Sequence, residues 1–225
     1  MITTIYLIRH SVKLSNKLIE SYNSKESNLI KSEKVILSPD GEERAKILCS
    51  EFELQNIDKV YTSNCVRTLQ TAKYMLANQN LNVNIDDRLD ERRVGIPNDD
   101  SVKNWFEMQY MDENYKTVGG ESQKEVRQRM SEVLDEVLKE NEGKRIAIFT
   151  HGYAITFLLL KWCKLISIKN DGKGYILHYN YNDKTLFNKK INSPDVFKLT
   201  YKNNKLINIE NIVFDDLPYE DVLTK

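Results

Sequence analysis

Little in this chain of 225 residues is present in excess, and several absences narrow what it does. The three cysteines, Cys49, Cys65 and Cys163, are unevenly spaced and give neither a disulfide framework nor a C-x-x-C zinc pattern. Reduced thiols are the reading they support. Neither sign of charge is in surplus, since 33 Lys and Arg balance 33 Asp and Glu. A dedicated nucleic-acid binder carries a basic excess, so no nucleic-acid partner is expected. No apolar run approaches the ~18 residues of a membrane span. The most apolar stretch, residues 146–162, is split by His151 and Gly152. The N-terminus lacks the basic start, apolar stretch and cleavage site of a signal peptide. Together these absences predict a soluble, cytoplasmic protein with no membrane partner. There is no Gly/Ser-rich or Pro-rich linker, no low-complexity segment and no repeat, so residues 1–225 are read as a single domain. Apolar residues make up 40% of it and charged residues 29%, which suits a globular chain with a real core.

What is present alternates. β-branched runs at residues 2–8, 59–62, 82–86 and 145–150 read as strands, and the last, bounded by charge, fits a strand buried on both faces. Between them lie helical patterns. Ser38-Pro39-Asp40-Gly41 is a helix start, with Ser38 as N-cap and Pro39 in the first turn. Val66, Leu69, Ala72 and Leu76 share one face, as do Val126, Met130, Val133, Leu134, Val137 and Leu138 in residues 123–141. Residues 154–162 are apolar nearly all round and predict a buried helix. This order implies an α/β fold, a three-layer α/β/α sandwich with a mostly parallel central sheet. Runs at residues 175–181, 196–201 and 206–213 predict antiparallel strands added to the sheet edge within 170–213. Residues 11–34 and 98–122 read as long irregular loops, the kind that act as lids or substrate loops.

Ligands in open α/β sheets bind outside the carboxyl ends of the strands. Arg9-His10 follows the first strand here, and Thr62-Ser63-Asn64-Cys65-Val66-Arg67 the second. Arg88-Leu89-Asp90-Glu91 follows the third, and Thr150-His151-Gly152 the fourth. A lone charged residue at such a place is commonly a solvated charge. Two of only three histidines, each set against apolar sequence, make the joint pattern functional. C-x5-R, an early D-x-D, G-x-x-x-x-G-K-[ST] and G-x-S-x-G are all missing, which excludes several other phosphate-handling and hydrolytic designs.

With these residues in place, the chain resembles the histidine phosphatase superfamily, also called phosphoglycerate mutase-like. Leu7-Ile8-Arg9-His10 is similar to its signature. Ser38 to Ala45 resembles a family helix start, and Ser63 to Ala72 resembles "S-x-x-x-R-x-x-Q-T-A". Leu89 to Gly95 is similar to "L-x-E-x-x-x-G", and Gly120-Glu121-Ser122 and Thr150-His151-Gly152 complete the order. The resemblance implies a phosphomonoesterase for a small phosphorylated substrate, with His10 as nucleophile and a phosphohistidine intermediate. It implies Arg9 and Arg67 as phosphoryl clamps, His151 as a further donor and Glu91 as general acid then base, with Asn16 contacting phosphate. It implies no cofactor and no metal. Two other readings stay open, a phosphoglycerate mutase and a non-catalytic phosphate-binding module. Ser11 stands where the family usually has Gly. Lys13, Arg88, Arg92 and Arg93 either add positive charge beside the pocket or are solvated surface charges.

Overall fold

The computed structural model describes residues 1–15, 25, 27–95, 105–172 and 174–217, with Asn28 described by its backbone only. A six-stranded sheet forms its centre, in the order β3-β2-β4-β1-β8-β9. These are β1 (Ile2–Arg9), β2 (Lys59–Thr62), β3 (Val83–Ile85), β4 (Arg145–Thr150), β8 (Val196–Lys202) and β9 (Lys205–Ile212). The first four run parallel, while β8 joins β1 and β9 joins β8 antiparallel.

Period-2 alternation explains why the sheet is covered twice. Along β1, Ile5 and Leu7 enter one core while Tyr6 and Ile8 enter the other. Along β4, Ile146 and Ile148 divide in the same way from Ala147 and Phe149. Helices α2 (Pro39–Ser50) and α3 (Val66–Gln79) cover the Tyr6 face, contributing Leu48, Ala72 and Met75. Helices α5 (Gln123–Glu140) and α6 (Gly152–Leu159) cover the Leu7 face with the apolar stripe read from the sequence. Ser122 starts α5 with a capping box to Glu125, which satisfies two orphaned backbone N–H groups.

Three features differ from the sequence reading. The strand over Tyr175–Tyr181 forms, but not on the edge of the main sheet. It is β6 in a separate antiparallel sheet with β5 (Lys164–Asn170) and β7 (Lys184–Lys189). Leu177, Tyr179 and Phe187 from this sheet lie in the Leu7-face core, so its apolar face packs beside α6 instead of extending the hydrogen-bonded ladder. The stretch 11–34 is not wholly irregular, because α1 (Asn28–Glu33) starts at Ser27, whose hydroxyl accepts the Ile30 N–H. Nor is 98–122, where α4 (Trp105–Met111) stacks Phe106 on Tyr175 with ring centroids 3.5 Å apart.

Loop 10–14 is held against the segment that starts α2. Ser38 N–H donates to the Val12 carbonyl at 2.9 Å, and Lys13 bridges to Leu37. The α2 start presses so close that a Cβ at Gly41 would lie 2.0 Å from the Val12 oxygen. Gly41→Ala is therefore expected to force the α2 start and the loop after His10 apart. It should cost about 1–3 kcal/mol, the usual range for overpacking. Urea unfolding tests this, and a loss below about 0.5 kcal/mol, the ordinary scatter of surface substitutions, would contradict it.

Candidate active site

The register of β1 and β4 builds the site. Arg9 pairs with Thr150, and His10 N–H donates to the Thr150 carbonyl at 2.9 Å. Parallel neighbours leave the sheet on the same side, so His10 and His151 emerge together. Their rings meet edge to face with centroids 5.1 Å apart. His10 is 5% exposed and His151 fully buried.

The hydrogen bonds assign both tautomers. His10 Nδ1 lies 2.7 Å from the Ser11 carbonyl, which only accepts, so Nδ1 carries the proton and Nε2 keeps a lone pair. His151 Nδ1 lies 3.0 Å from Arg67 Nη2, which only donates, so that nitrogen accepts. Its Nε2–H then donates to Ser63 Oγ at 2.9 Å. Ser63 Oγ passes the sequence on to Thr68 Oγ1 at 2.8 Å, and Thr68 donates to the Cys65 carbonyl at 2.7 Å.

Both imidazoles are held well below the ordinary value. For His10 the causes are burial, then the Arg9 and Arg67 charges. For His151 they are burial, then His10, Arg67 and Arg9. Charge and desolvation push the same way, so both rings are neutral at neutral pH.

The arginines are fixed by backbone carbonyls. Arg9 Nη1 donates to Ile191 O and, at 3.3 Å, to Asn192 O in the β7–β8 connection. Asp195 secures that connection, accepting from Lys189 Nζ, Asn192 N and Asn211 Nδ2. Arg67 Nη1 donates to Ser32 O at 2.6 Å, at the end of α1. Ser11 N–H donates to Thr71 Oγ1 at 3.0 Å, and Leu37 N–H to Gln70 Oε1 at 2.7 Å. Ser11 has a negative φ, so its Cβ carries no left-handed strain and glycine is not required there.

Glu91 reaches the site from after the short 3-10 turn Asp87–Leu89. Its carboxylate accepts from Arg92 N (2.9 Å), Ala154 N (3.1 Å) and Tyr153 N (3.3 Å), at the start of α6. Arg129 holds the segment in place, donating to the carbonyls of Arg88, Asp90 and Glu91 while its Nε and Nη2 grip buried Glu121. Burial pushes the Glu121 carboxyl up, but Arg129 and the Arg93 N–H outweigh it and hold the group below the ordinary value. Asn16 lies outside the described residues, so the structure does not place it.

The sequence reading missed some of these neighbours. Asp90, Cys65 and His151 bring ligand-type atoms within 4.8 Å of one another, a grouping that no spacing pattern signalled. Burial raises the Cys65 thiol to about 11 and Asp90 to about 6. With the thiol protonated and both His151 nitrogens engaged in hydrogen bonds, the cluster is satisfied as it stands. The arginines left open in the sequence separate. Arg88 pairs with Asp86 and Glu136. Arg93 is exposed and faces Glu121 at 3.6 Å. Arg92 is 2% exposed. Lys13 is exposed along much of its length, but desolvation and then Arg67 and Arg9 lower its ammonium.

Two depressed imidazoles beside two guanidiniums make a site whose protonation follows its occupancy. A bound dianion reverses the Coulombic part of each shift, so the histidine pKa values rise on binding. Sulfate, which stays dianionic, is expected to bind with net proton uptake between the free and bound pKa values. Its affinity should fall as pH rises through that window. Calorimetry in buffers of different ionisation enthalpy measures this, and binding without proton uptake at any pH would contradict it.

A family model described as the histidine phosphatase superfamily (branch 1) matches residues 5–170. The chain is 27% identical over 140 residues to phosphoserine phosphatase 1 of Hydrogenobacter thermophilus, covering 59% of this chain and 65% of that protein's length. It is also 27% identical over 163 residues to the probable phosphoglycerate mutase GpmB of Yersinia enterocolitica, covering 69% of this chain and 72% of that one. Among solved structures, phosphoserine phosphatase from Entamoeba histolytica in complex with 3-phosphoglyceric acid is similar with a TM-score of 0.63 and 18% identity, over 96% of this chain and 100% of that chain. That last likeness speaks to the fold alone. No helix among the described residues is long and apolar enough to cross a membrane.

Proposed function

The chain belongs to the histidine phosphatase superfamily (branch 1), and from that premise we propose that it hydrolyses phosphomonoesters through a phosphohistidine, without a metal ion. The observation that carries this reading is the neutral His10. Its Nδ1–H is committed to Ser11 O, which leaves Nε2 with a lone pair, on a ring that meets His151 and feels the charges of Arg9 and Arg67. His10 Nε2 attacks phosphorus and the ester P–O bond breaks. The leaving oxygen takes its proton from the Glu91 carboxyl. Water then attacks phosphorus and gives a proton back to Glu91. The P–N bond breaks, and its electron pair returns to His10. Arg9 and Arg67 donate to the phosphoryl oxygens throughout. Their cationic charge does the work that a metal ion does elsewhere. Phosphoserine phosphatase among the relatives supports a small phosphorylated metabolite as substrate.

Transfer of the phosphoryl group to a second hydroxyl, as in a mutase, is the other reading. The mutase relative matches at the same 27% identity as the phosphatase. Release of inorganic phosphate, as against its return to an acceptor, separates the two.

His10→Ala is expected to abolish both turnover and an acid-labile phosphoenzyme. Glu91→Gln should slow alkyl esters by about 10²–10⁴ and aryl phosphates far less, since aryl leaving groups need little protonation. Rapid-quench and steady-state assays with EDTA present test both. Equal, small losses on the two ester types would remove Glu91 from its role. Loss of activity in EDTA, restored by a divalent ion, would overturn the metal-free reading.

A further inference from the structure

Arg92 is a buried cation that the proposed chemistry leaves unused. It is 2% exposed, and its Nε donates to the Glu121 carbonyl at 3.0 Å. Both terminal nitrogens, Nη1 and Nη2, are buried without a hydrogen-bond partner. A buried guanidinium with two idle charged donors is costly, and folding alone gives no reason to keep it. The guanidinium carbon lies over two aromatic rings, 5.9 Å from Trp105 and 6.0 Å from Tyr153. Nearby, Gln109 is fully buried with neither side-chain atom in a hydrogen bond of good geometry. Its influence on the Tyr153 phenol places it in the same cluster.

The location ties this cluster to the reacting centre. Arg92 follows Glu91 in the chain, and the Glu91 carboxylate accepts the N–H of both Arg92 and Tyr153. Tyr153 in turn lies two residues from His151. The Arg92 guanidinium, 6.0 Å from the Tyr153 ring and close enough to the Glu91 carboxylate to feel its charge, lies on the Glu91 side of the site.

We propose that Arg92 is a specificity-determining residue that binds a carboxylate on the leaving group, so that the preferred substrates are small phosphomonoesters of hydroxy or amino acids. This rests on the phosphomonoesterase reading and adds the substrate class. Two parallel N–H groups match the two oxygens of a planar carboxylate. A second phosphoryl group fits less well. It brings about two negative charges to a single cation that already lies close to the Glu91 and Glu121 carboxylates. The aromatic walls suit a short carbon skeleton and exclude water from the pair.

Binding of non-hydrolysable phosphonates tests the subsite without turnover. 3-Phosphonopropionate and 4-phosphonobutyrate are compared by calorimetry with propylphosphonate and butylphosphonate, which lack the carboxylate. At least one carboxylated ligand is expected to bind roughly 10–100-fold tighter than its partner, the range for a charge-assisted pair. In Arg92→Met the advantage should fall to within about threefold. In Arg92→Lys, which keeps the charge and loses the fork, only part should return. Thermal melting checks that the variants fold, which removal of an unpaired buried charge favours. No carboxylate advantage in the wild type, or an advantage that survives in Arg92→Met, would overturn the proposal. Hydrolysis of 4-nitrophenyl phosphate by the wild type is measured alongside. Its absence counts against the phosphomonoesterase reading, and the binding comparison still decides the role of Arg92.

Discussion

The parallel pairing of β1 with β4 is the constraint on which the candidate site depends. One backbone hydrogen bond, His10 N–H to Thr150 O, fixes the point at which both strands leave the sheet. A slip of one residue would turn His10 or His151 to the opposite face and exchange the two cores, since Ile5 and Leu7 alternate with Tyr6 and Ile8. Hydrophobic burial on both faces therefore sets the distance between two polar rings. The register places Ile5 to Ile8 of β1 and Ile146 to Phe149 of β4 in the two cores.

Bringing positive groups together in a buried place carries a penalty, and the fold meets it with carbonyl oxygens. Backbone carbonyls orient both guanidiniums, those of Ile191 and Asn192 for Arg9 and that of Ser32 for Arg67. Carbonyl dipoles orient the guanidiniums and leave their charge in place. Burial first, and then the charges of Arg9 and Arg67, keep the His10 imidazole neutral. Glu91 is handled differently. It lies at the start of α6, where the backbone N–H groups of Tyr153 and Ala154 hold the carboxylate.

Much of this was legible in the chain because strand ends are local. A β-branched run followed by Arg9-His10, and another followed by Thr150-His151, announces both the element and the site. The motif residues between them also have visible tasks: Ser38 caps α2, Gln70 ties Leu37 and Thr71 ties Ser11. What was not legible depends on distant packing. The pattern over Tyr175–Tyr181 signals a strand, but nothing in it says which sheet receives it, because half-buried alternation suits either. The Cys65, Asp90 and His151 cluster joins three separate loops, so no spacing within the chain encodes it. Asp195 accepts the Arg9 N–H with its backbone carbonyl and secures the connection before β8 with its carboxylate, and a lone aspartate before a strand reads as a surface charge.

Arg88, Arg92 and Arg93 make the same point within six residues. By composition they are equivalent, a basic run beside an acid. The backbone after the 3-10 turn sends them to different places, and environment then assigns each a different fate. Arg88 meets Asp86 and Glu136 near solvent, where screening leaves such pairs worth ~1 kcal/mol or less. Arg93 points outward, and its backbone N–H does more than its side chain by helping to hold Glu121. Arg92 turns inward, where the same charge is expensive because water is gone. The sequence could not rank the three, since the quantity that separates them is desolvation, and desolvation belongs to the fold. An arginine buried with two idle donors beside a candidate acid is then better understood as a site awaiting an anion than as a packing element, because packing is served more cheaply by a side chain without charge.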